Sequence, residues 1–484
     1  MNINPEQKST SVLKDEKGRS QGGPRNPSYN RKGTNGSYPP KVESRSRGAK
    51  QVEETHQDFG WVERAIWTDR MLKTLVTGVK GGKWFSLMDK VYSKKNLYAA
   101  FKRVEKNKGS AGVDHVSVKQ FANRLDEEID RLHQSLKDET YNPQHILRIY
   151  IDKPGSSEKR PLGIPSIRDR VVQTALRSVL EPIFEIEFAE QSYGFRPKRG
   201  CKDALRRVEE LLKNECHWIV DLDFKSYFDT IPHERLIELV GQKVSDSRVI
   251  KLLNQFMRQR VLDGMSSWVP EGGTPQGAVV SPLLSNVYLN PLDHLMVDLG
   301  FQCVRYADDA VILCKTEVQA RIALAALVDW STQAGLTLHP TKTKLVNFLE
   351  PGGFDFLGYH FEVSKRCSPK INKWPSKKSL KKLRSKLLPI TKRSNGLSME
   401  SIIERMNPIL KGWFEYFKHS LPNTFDSMDG WTRMRLRSIL RKRRKGRGRG
   451  RGIDHQRWPN SYFHDMGLYS TKKVLMSVKR SSSR

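Results

Sequence analysis

The 484-residue sequence predicts an α+β fold built around an antiparallel sheet and followed by a separate helical domain. Two observations carry this expectation. Strand and helix signals mix between about residues 141 and 365 without a regular βαβ period. After about residue 370 the strand signals stop, and apolar residues at three- and four-residue steps mark basic helices.

The elements follow in order. Residues 1–58 are rich in Ser, Gly, Pro, Asn, Lys and Arg and nearly lack large apolar residues, so a disordered basic tail is expected. Order begins near Trp61, and residues 59–140 read as a helical N-terminal extension. "NLYAAFKRVEKNKGSAGVDH" predicts a helix ending at a Gly-rich turn. Val118, Phe121, Leu125, Ile129, Leu132 and Leu136 predict one face of a single amphipathic helix. "HILRIYIDKPG" alternates as a strand and stops at Pro-Gly, with "EKRPLGIPSI" as its return. "IRDRVVQTALRSVLEPIFEIEF" and residues 201–213 read as helices. "CHWIVDLDFKSYFDTI" reads as a buried strand entering a turn, and "VRYADDAVIL" as a hairpin with two aspartates at its tip. Cys303 and Cys314 flank that hairpin as small core residues.

Within residues 370–440, Leu380, Leu383 and Leu387 mark one helix, Ile402 to Phe417 a second, and Trp431, Met434 and Ile439 a third. The run "RKRRKGRGRGRG", Arg441–Gly452, is expected to repel itself and stay flexible unless bound. Beyond it, "DHQRWPNSYFHDMGLYS" clusters aromatics and should fold again, within a basic C-terminal segment 441–484.

The formal net charge is +32, from 85 Lys+Arg against 53 Asp+Glu. That excess calls for a polyanion, and nucleic acid is the leading partner. An anionic membrane surface is the alternative, but no basic amphipathic helix with a wide apolar face stands out. No apolar run of about 18 residues and no apolar leader is present, which points to the cytoplasm. The five cysteines are scattered without a CxxC pair, against a disulfide framework or zinc knuckle.

Alone, Asp308–Asp309 reads as a solvated turn. Upstream, however, "VDLDFKSYFDTI" offers Asp221, Asp223 and Asp229, the first two on one side of a strand. Carboxylates on a buried strand are costly unless paired or metal-bound. Adjacent aspartates at a hairpin tip, with another from a neighbouring strand, suit two-metal phosphoryl transfer, and hard oxygen donors suit Mg²⁺.

These residues also carry a family resemblance. "YADD", Tyr306–Asp309, resembles the signature of reverse transcriptases, and "DFKSYFD", Asp223–Asp229, is similar to their first catalytic motif. There the metal-binding Asp is followed five residues later by an aromatic gate, and Phe228 stands at that offset from Asp223, whereas Ser226 stands there from Asp221. "RPLGIP", "SYGFRPKRGCKDAL", "GTPQGAVVSPLLSNVYLNPLD" and "FDFLGYHF" resemble further motifs of the family in order. "QGxxxSP", Gln276–Pro282, is typical of group II intron reverse transcriptases. "GSAGVDHVSVKQF" resembles their N-terminal extension, "LKGWFEYFKHS" their maturase (thumb) domain, and "DHQRWPNSYFHDMGLYS" the C-terminal ends of some bacterial members.

The resemblance implies a right-hand polymerase, with fingers and an antiparallel palm sheet in residues 141–365 and an α-helical thumb/maturase domain in 370–440. It implies an RNA-directed DNA polymerase that also assists intron splicing. Two Mg²⁺ ions would be held by Asp223, Asp308, Asp309 and the Phe224 carbonyl. Phe228 would exclude a 2′-hydroxyl, Lys153 and Arg160 would grip the triphosphate, and Gln276 and Gly277 would contact the incoming nucleotide or template. Lys342 would meet a phosphate, and Asp221 and Asp229 would be structural. Implied partners are group II intron RNA, a DNA target and primer, and deoxynucleoside triphosphates; no membrane is expected, and a homodimer is left open. Many members end in a zinc-bearing HNH endonuclease with paired cysteines; only Cys367 follows Cys314 here, so no endonuclease is expected. Two alternatives stand beside this reading. A splicing-only maturase with a dead polymerase would have lost catalytic aspartates. A domesticated reverse transcriptase in phage defence sits poorly with the maturase-like thumb.

Overall fold

The computed structural model describes residues 59–79, 81–152, 159–364 and 370–482. The expected N-terminal tail and Lys153 lie outside the described residues. The strands are β1 (Ile146–Asp152), β2 (Lys159–Ile164), β3 (Trp218–Leu222), β4 (Val261–Asp263), β5 (Ser266–Trp268), β6 (Gln302–Tyr306), β7 (Asp309–Cys314), β8 (Lys344–Asn347), β9 (Phe354–Phe356), β10 (Tyr359–Val363) and β11 (Ile371–Pro375).

The N-terminal helices pack on the helix Ile167–Glu185 and share one hydrophobic core with the palm, from Val62 to Leu336. The single amphipathic helix expected from Val118 to Leu136 is two, Val118–Ala122 and Leu125–Lys137. The Asn123 amide bonds back to the Lys119 and Phe121 carbonyls, tightening the turn, and Arg124 leaves helical geometry. A fresh N-terminus then gathers Asp126, Glu127 and Glu128, which the helix dipole favours. Asp246 ties this extension to the rest. One carboxylate oxygen accepts from the Leu87 and Met88 amides at 2.7 and 2.9 Å, and the other caps the helix Ser247–Met257 through Arg248 and Val249.

Three sheets follow. The fingers sheet runs β2-β1-β4-β5, with β1 antiparallel to β2 and parallel to β4. The palm sheet runs β6-β7-β3-β8, antiparallel throughout. Alternation sends Val220, Leu222, Ala310 and Ile312 into the main core and Ile219, Val311 and Leu313 into a second core on the opposite face. Both faces of the central strands are therefore covered, and Cys303 and Cys314 are buried as expected. The third sheet, β11-β10-β9, corrects the expectation that strands end near residue 370. β11, "INKWP", has a weak strand pattern of its own and forms by pairing along the full length of β10.

The helices Lys377–Ile390, Met399–Phe417 and Pro422–Arg443 enclose a third core of Leu383, Leu387, Met406, Leu410, Leu436 and Ile439. The basic run does not stand free. Arg441, Lys442 and Arg443 form the last turn of Pro422–Arg443, where cations suit the helix dipole. Arg441 pairs with Asp454 and donates to the Arg447 carbonyl, Arg443 donates to the Leu397 carbonyl, and Arg393 donates to the Gly446 carbonyl. A counter-charge and open carbonyls absorb part of the repulsion that the sequence suggests. The residues beyond fold into the helices Asp454–Arg457, Asn460–Asp465 and Thr471–Ser482. No helix among the described residues is long and apolar enough to cross a membrane.

Asp246→Ala is expected to cost about 2–4 kcal/mol, because two amides and a helix start lose their acceptor together. A urea midpoint that falls at unchanged slope checks this; an unmoved midpoint refutes the two-helix cap.

Candidate active site

The palm sheet brings its carboxylates to one end. β3 stops at Leu222, and Asp223 follows it, held by main-chain bonds: its carbonyl accepts from the His339 amide at 2.7 Å and its amide donates to the Thr343 hydroxyl at 3.3 Å. Across the sheet, Leu222 pairs with Ala310 and Tyr306 with Asp309, so the β6–β7 turn is two residues long, Ala307 and Asp308. The pleat then sets Asp221, Asp223 and Asp309 on one face, with Asp308 in the turn beside them.

The turn is fixed from below. Ala307 adopts the left-handed region at φ +61°. A side chain at Gly194 would place its first carbon 2.2 Å from the Ala307 nitrogen, so only glycine lets these backbones cross. Arg305, fully buried, donates through Nε to Asp293 and through Nη1 to Asn286 and to the Ala307 carbonyl. Nη2 donates to Ser192 and again to Asp293. All its donors are engaged, the condition under which a buried ion pair is tolerated.

Burial pushes the Asp309 carboxyl up to about 7, reinforced by Asp221, Asp308 and Asp223 and opposed by the Leu357 amide. Burial likewise lifts Asp221 to about 6, with Lys344 opposing and Asp223 and Asp355 adding to the rise. Asp308 is raised chiefly by burial, against its own backbone amide, Arg160 and Arg305. Asp223 is paired with Lys342, whose Nζ lies 2.8 Å from Oδ2. Among the described residues, no three acidic, His or Cys side chains are gathered into a metal-ligand set. The meeting expected of Asp223, Asp308 and Asp309 is thus electrostatic here, with Asp223 drawn to an ammonium.

A cleft of about 530 Å³ has Phe228, Asp229, Gln276, Arg148, Trp268 and Thr274 in its lining, but none of the four clustered aspartates. Phe228 is half-buried, and its carbonyl accepts from the Thr274 amide at 2.6 Å, which ties it to the loop carrying Gln276. That loop is stitched to β2: the Gly163 amide donates to the Gln276 carbonyl at 2.6 Å. Gly277, at φ +110°, approaches so closely that an added carbon would lie 2.3 Å from the Gly163 oxygen. Arg160, on β2, is exposed and bears on both Asp308 and Asp229. Phe224 is buried and bridges to Leu338.

Sequence reasoning set Asp221 aside as structural, yet it shares the face of Asp223 and Asp309. The two-residue spacing was the available signal. It also missed Asp293, Gly194 and the Leu357 amide, which reach the turn from distant segments with no local signature.

Comparison with known proteins gives the class of this arrangement. Residues 151–361 match the family described as reverse transcriptase (RNA-dependent DNA polymerase), and residues 380–458 match the group II intron, maturase-specific domain. Over 216 residues the chain is 37% identical to the group II intron-encoded protein LtrA of Lactococcus lactis subsp. cremoris, covering 44% of this chain and 35% of LtrA. It is 33% identical to protein YkfC of Escherichia coli K12, covering 51% of this chain and 74% of YkfC. It is 32% identical to an uncharacterized 91 kDa protein in the cob intron of Schizosaccharomyces pombe, covering 60% of this chain and 45% of that protein. With both domains in order and three quarters of YkfC spanned, the chain belongs to the group II intron reverse transcriptase/maturase family. It spans about a third of LtrA's length.

A carboxyl raised by folding keeps its proton where the unfolded chain has lost it, so its contribution to stability falls as pH rises from 3.8 towards about 7. Asp309→Asn should therefore raise the thermal midpoint by a few degrees at pH 8 and leave it nearly unchanged at pH 4. An equal shift at both values would remove the buried-carboxylate account.

Proposed function

We propose that this chain copies RNA into DNA by extending a 3′-hydroxyl, and that it binds a group II intron RNA to assist its splicing. The observation that carries the reading is the crowding of Asp223, Asp308 and Asp309 at one end of the palm sheet. The match of residues 380–458 to the maturase-specific domain supports the splicing half, as does the similarity to LtrA, a group II intron-encoded protein.

Reverse transcriptases use divalent metal ions. The donor chemistry fits them: the carboxylates are hard oxygen donors that bear on one another electrostatically, and Asp223 already accepts a cation in the Lys342 ammonium. We assign two Mg²⁺ ions to Asp223, Asp308, Asp309 and the Phe224 carbonyl. When bound, they supply acidification of the primer hydroxyl and neutralisation of the leaving pyrophosphate.

The remaining roles fall to side chains around the cleft. Phe228, anchored through its own backbone to the Gln276 loop, acts as the gate against a 2′-hydroxyl. Arg160, whose field already bears on Asp308, grips the triphosphate together with Lys153. Gln276 and Gly277 meet the incoming nucleotide or template, and the backbone bond from Gly163 keeps their loop against the fingers. Lys342 exchanges its carboxylate for a phosphate. Asp221, cross-strand from Lys344, adds like charge beside Asp309 and is otherwise structural. The substrates are deoxynucleoside triphosphates, a primer at a DNA target, and intron RNA bound through the helical thumb.

Extension of a DNA primer on an RNA template, with Mg²⁺ and after chelation, tests the reading. Asp308→Ala should lower extension by about a hundredfold or more while leaving intron RNA binding intact. Extension at the parent rate would end the assignment, and parallel loss of RNA binding would end the separation of roles. Phe228→Ala should weaken rejection of ribonucleotides by about tenfold or more, read as the ratio of kcat/KM values.

A further inference from the structure

Far along the chain from the palm carboxylates, a cleft of about 160 Å³ opens between the helices Pro422–Arg443, Asn460–Asp465 and Thr471–Ser482. It lies at the end of the maturase-matched region, with most of its lining beyond residue 458. Its floor is Thr432 and Arg433. Thr432 is 2% exposed, and its hydroxyl has no hydrogen-bond partner among the described residues. The neighbouring Arg433 Nε is buried and equally without a partner. Asp429 does not answer either group. Its carboxylate accepts from the Ser470 and Thr471 hydroxyls, both at 2.7 Å, and from the Thr471 and Lys472 amides, and Arg433 Nη1 stays 4.0 Å away. Lys473 and His464 stand at the walls.

Two adjacent buried donors left open cost stability, and the two residues that carry them both line one small cavity. A tetrahedral anion with two free oxygens answers both: one oxygen for the guanidinium, one for the hydroxyl, with the Lys473 ammonium adding charge. We propose that this cleft seats one phosphodiester of a bound nucleic-acid strand. The proposal rests on the nucleic-acid-binding reading above and deepens it, by naming a built contact outside the polymerase site. The strand is intron RNA or target DNA, which present the same group.

The test is a salt titration of binding by the full chain, in one arm to intron RNA and in the other to target duplex DNA, with Thr432→Val and Lys473→Gln. Thr432→Val removes an open buried donor, so the thermal midpoint of the free protein should hold or rise while affinity falls about tenfold. Lys473→Gln changes an exposed side chain, so folding is spared, and the slope of log affinity against log salt should flatten by about 0.9 on duplex or about 0.7 on single strands. Loss in one arm supports the proposal and names the source; loss in both supports the shared phosphodiester. Unchanged affinity and slope in both arms, with the parent binding tightly, overturn the cleft alone. A parent chain that binds neither nucleic acid overturns the cleft and the nucleic-acid-binding reading together.

Discussion

Like charge held in place governs the palm half of this molecule. Asp221, Asp223, Asp308 and Asp309 crowd one end of a sheet whose central strands are covered on both faces. Such a cluster disperses unless its backbone is over-determined. The restraint comes from a two-residue turn, a glycine crossing that admits no side chain, and a buried arginine that donates to the turn's own carbonyl. The arginine in turn depends on Asp293 and Asn286 of the helix Ser281–Asp298 and on Ser192 of the preceding segment. Two distant stretches of chain thus fix one peptide.

Much of this was legible in the sequence, for identifiable reasons. The period of 2 in "WIVDLDF" and "VRYADDAVIL" reports a sheet with covered faces, and its interruption by aspartates marks where the cover ends. Helices with a clean 3.6 period and a Ser or Thr cap, such as Lys377–Ile390 and Met399–Phe417, fall where periodicity puts them. Legibility ended where an element owes its form to a partner. β11 exists because β10 offers an edge, and the break after Ala122 comes from one main-chain turn inside an unbroken apolar stripe.

The site divides in the same way. Asp223, Asp308, Asp309, Phe228 and Gln276 are spaced locally and could be picked out one by one. Arg305 is visible beside "YADD", but nothing in "LNPLD" announces that Asp293 lies beneath the turn. The basic run shows the opposite error. Charge counting overstated its isolation, because Asp454 and the open carbonyls of a helix end are assembled only in three dimensions.

The Lys342–Asp223 pair bears on how a polyanion approaches. Counted from composition, this end of the sheet is a negative patch that should push nucleic acid away. With Lys342 pairing with one carboxylate and burial raising the Asp309 carboxyl, the patch carries less negative charge than its four aspartates suggest. An approaching strand thus meets less repulsion there than a count of four aspartates implies.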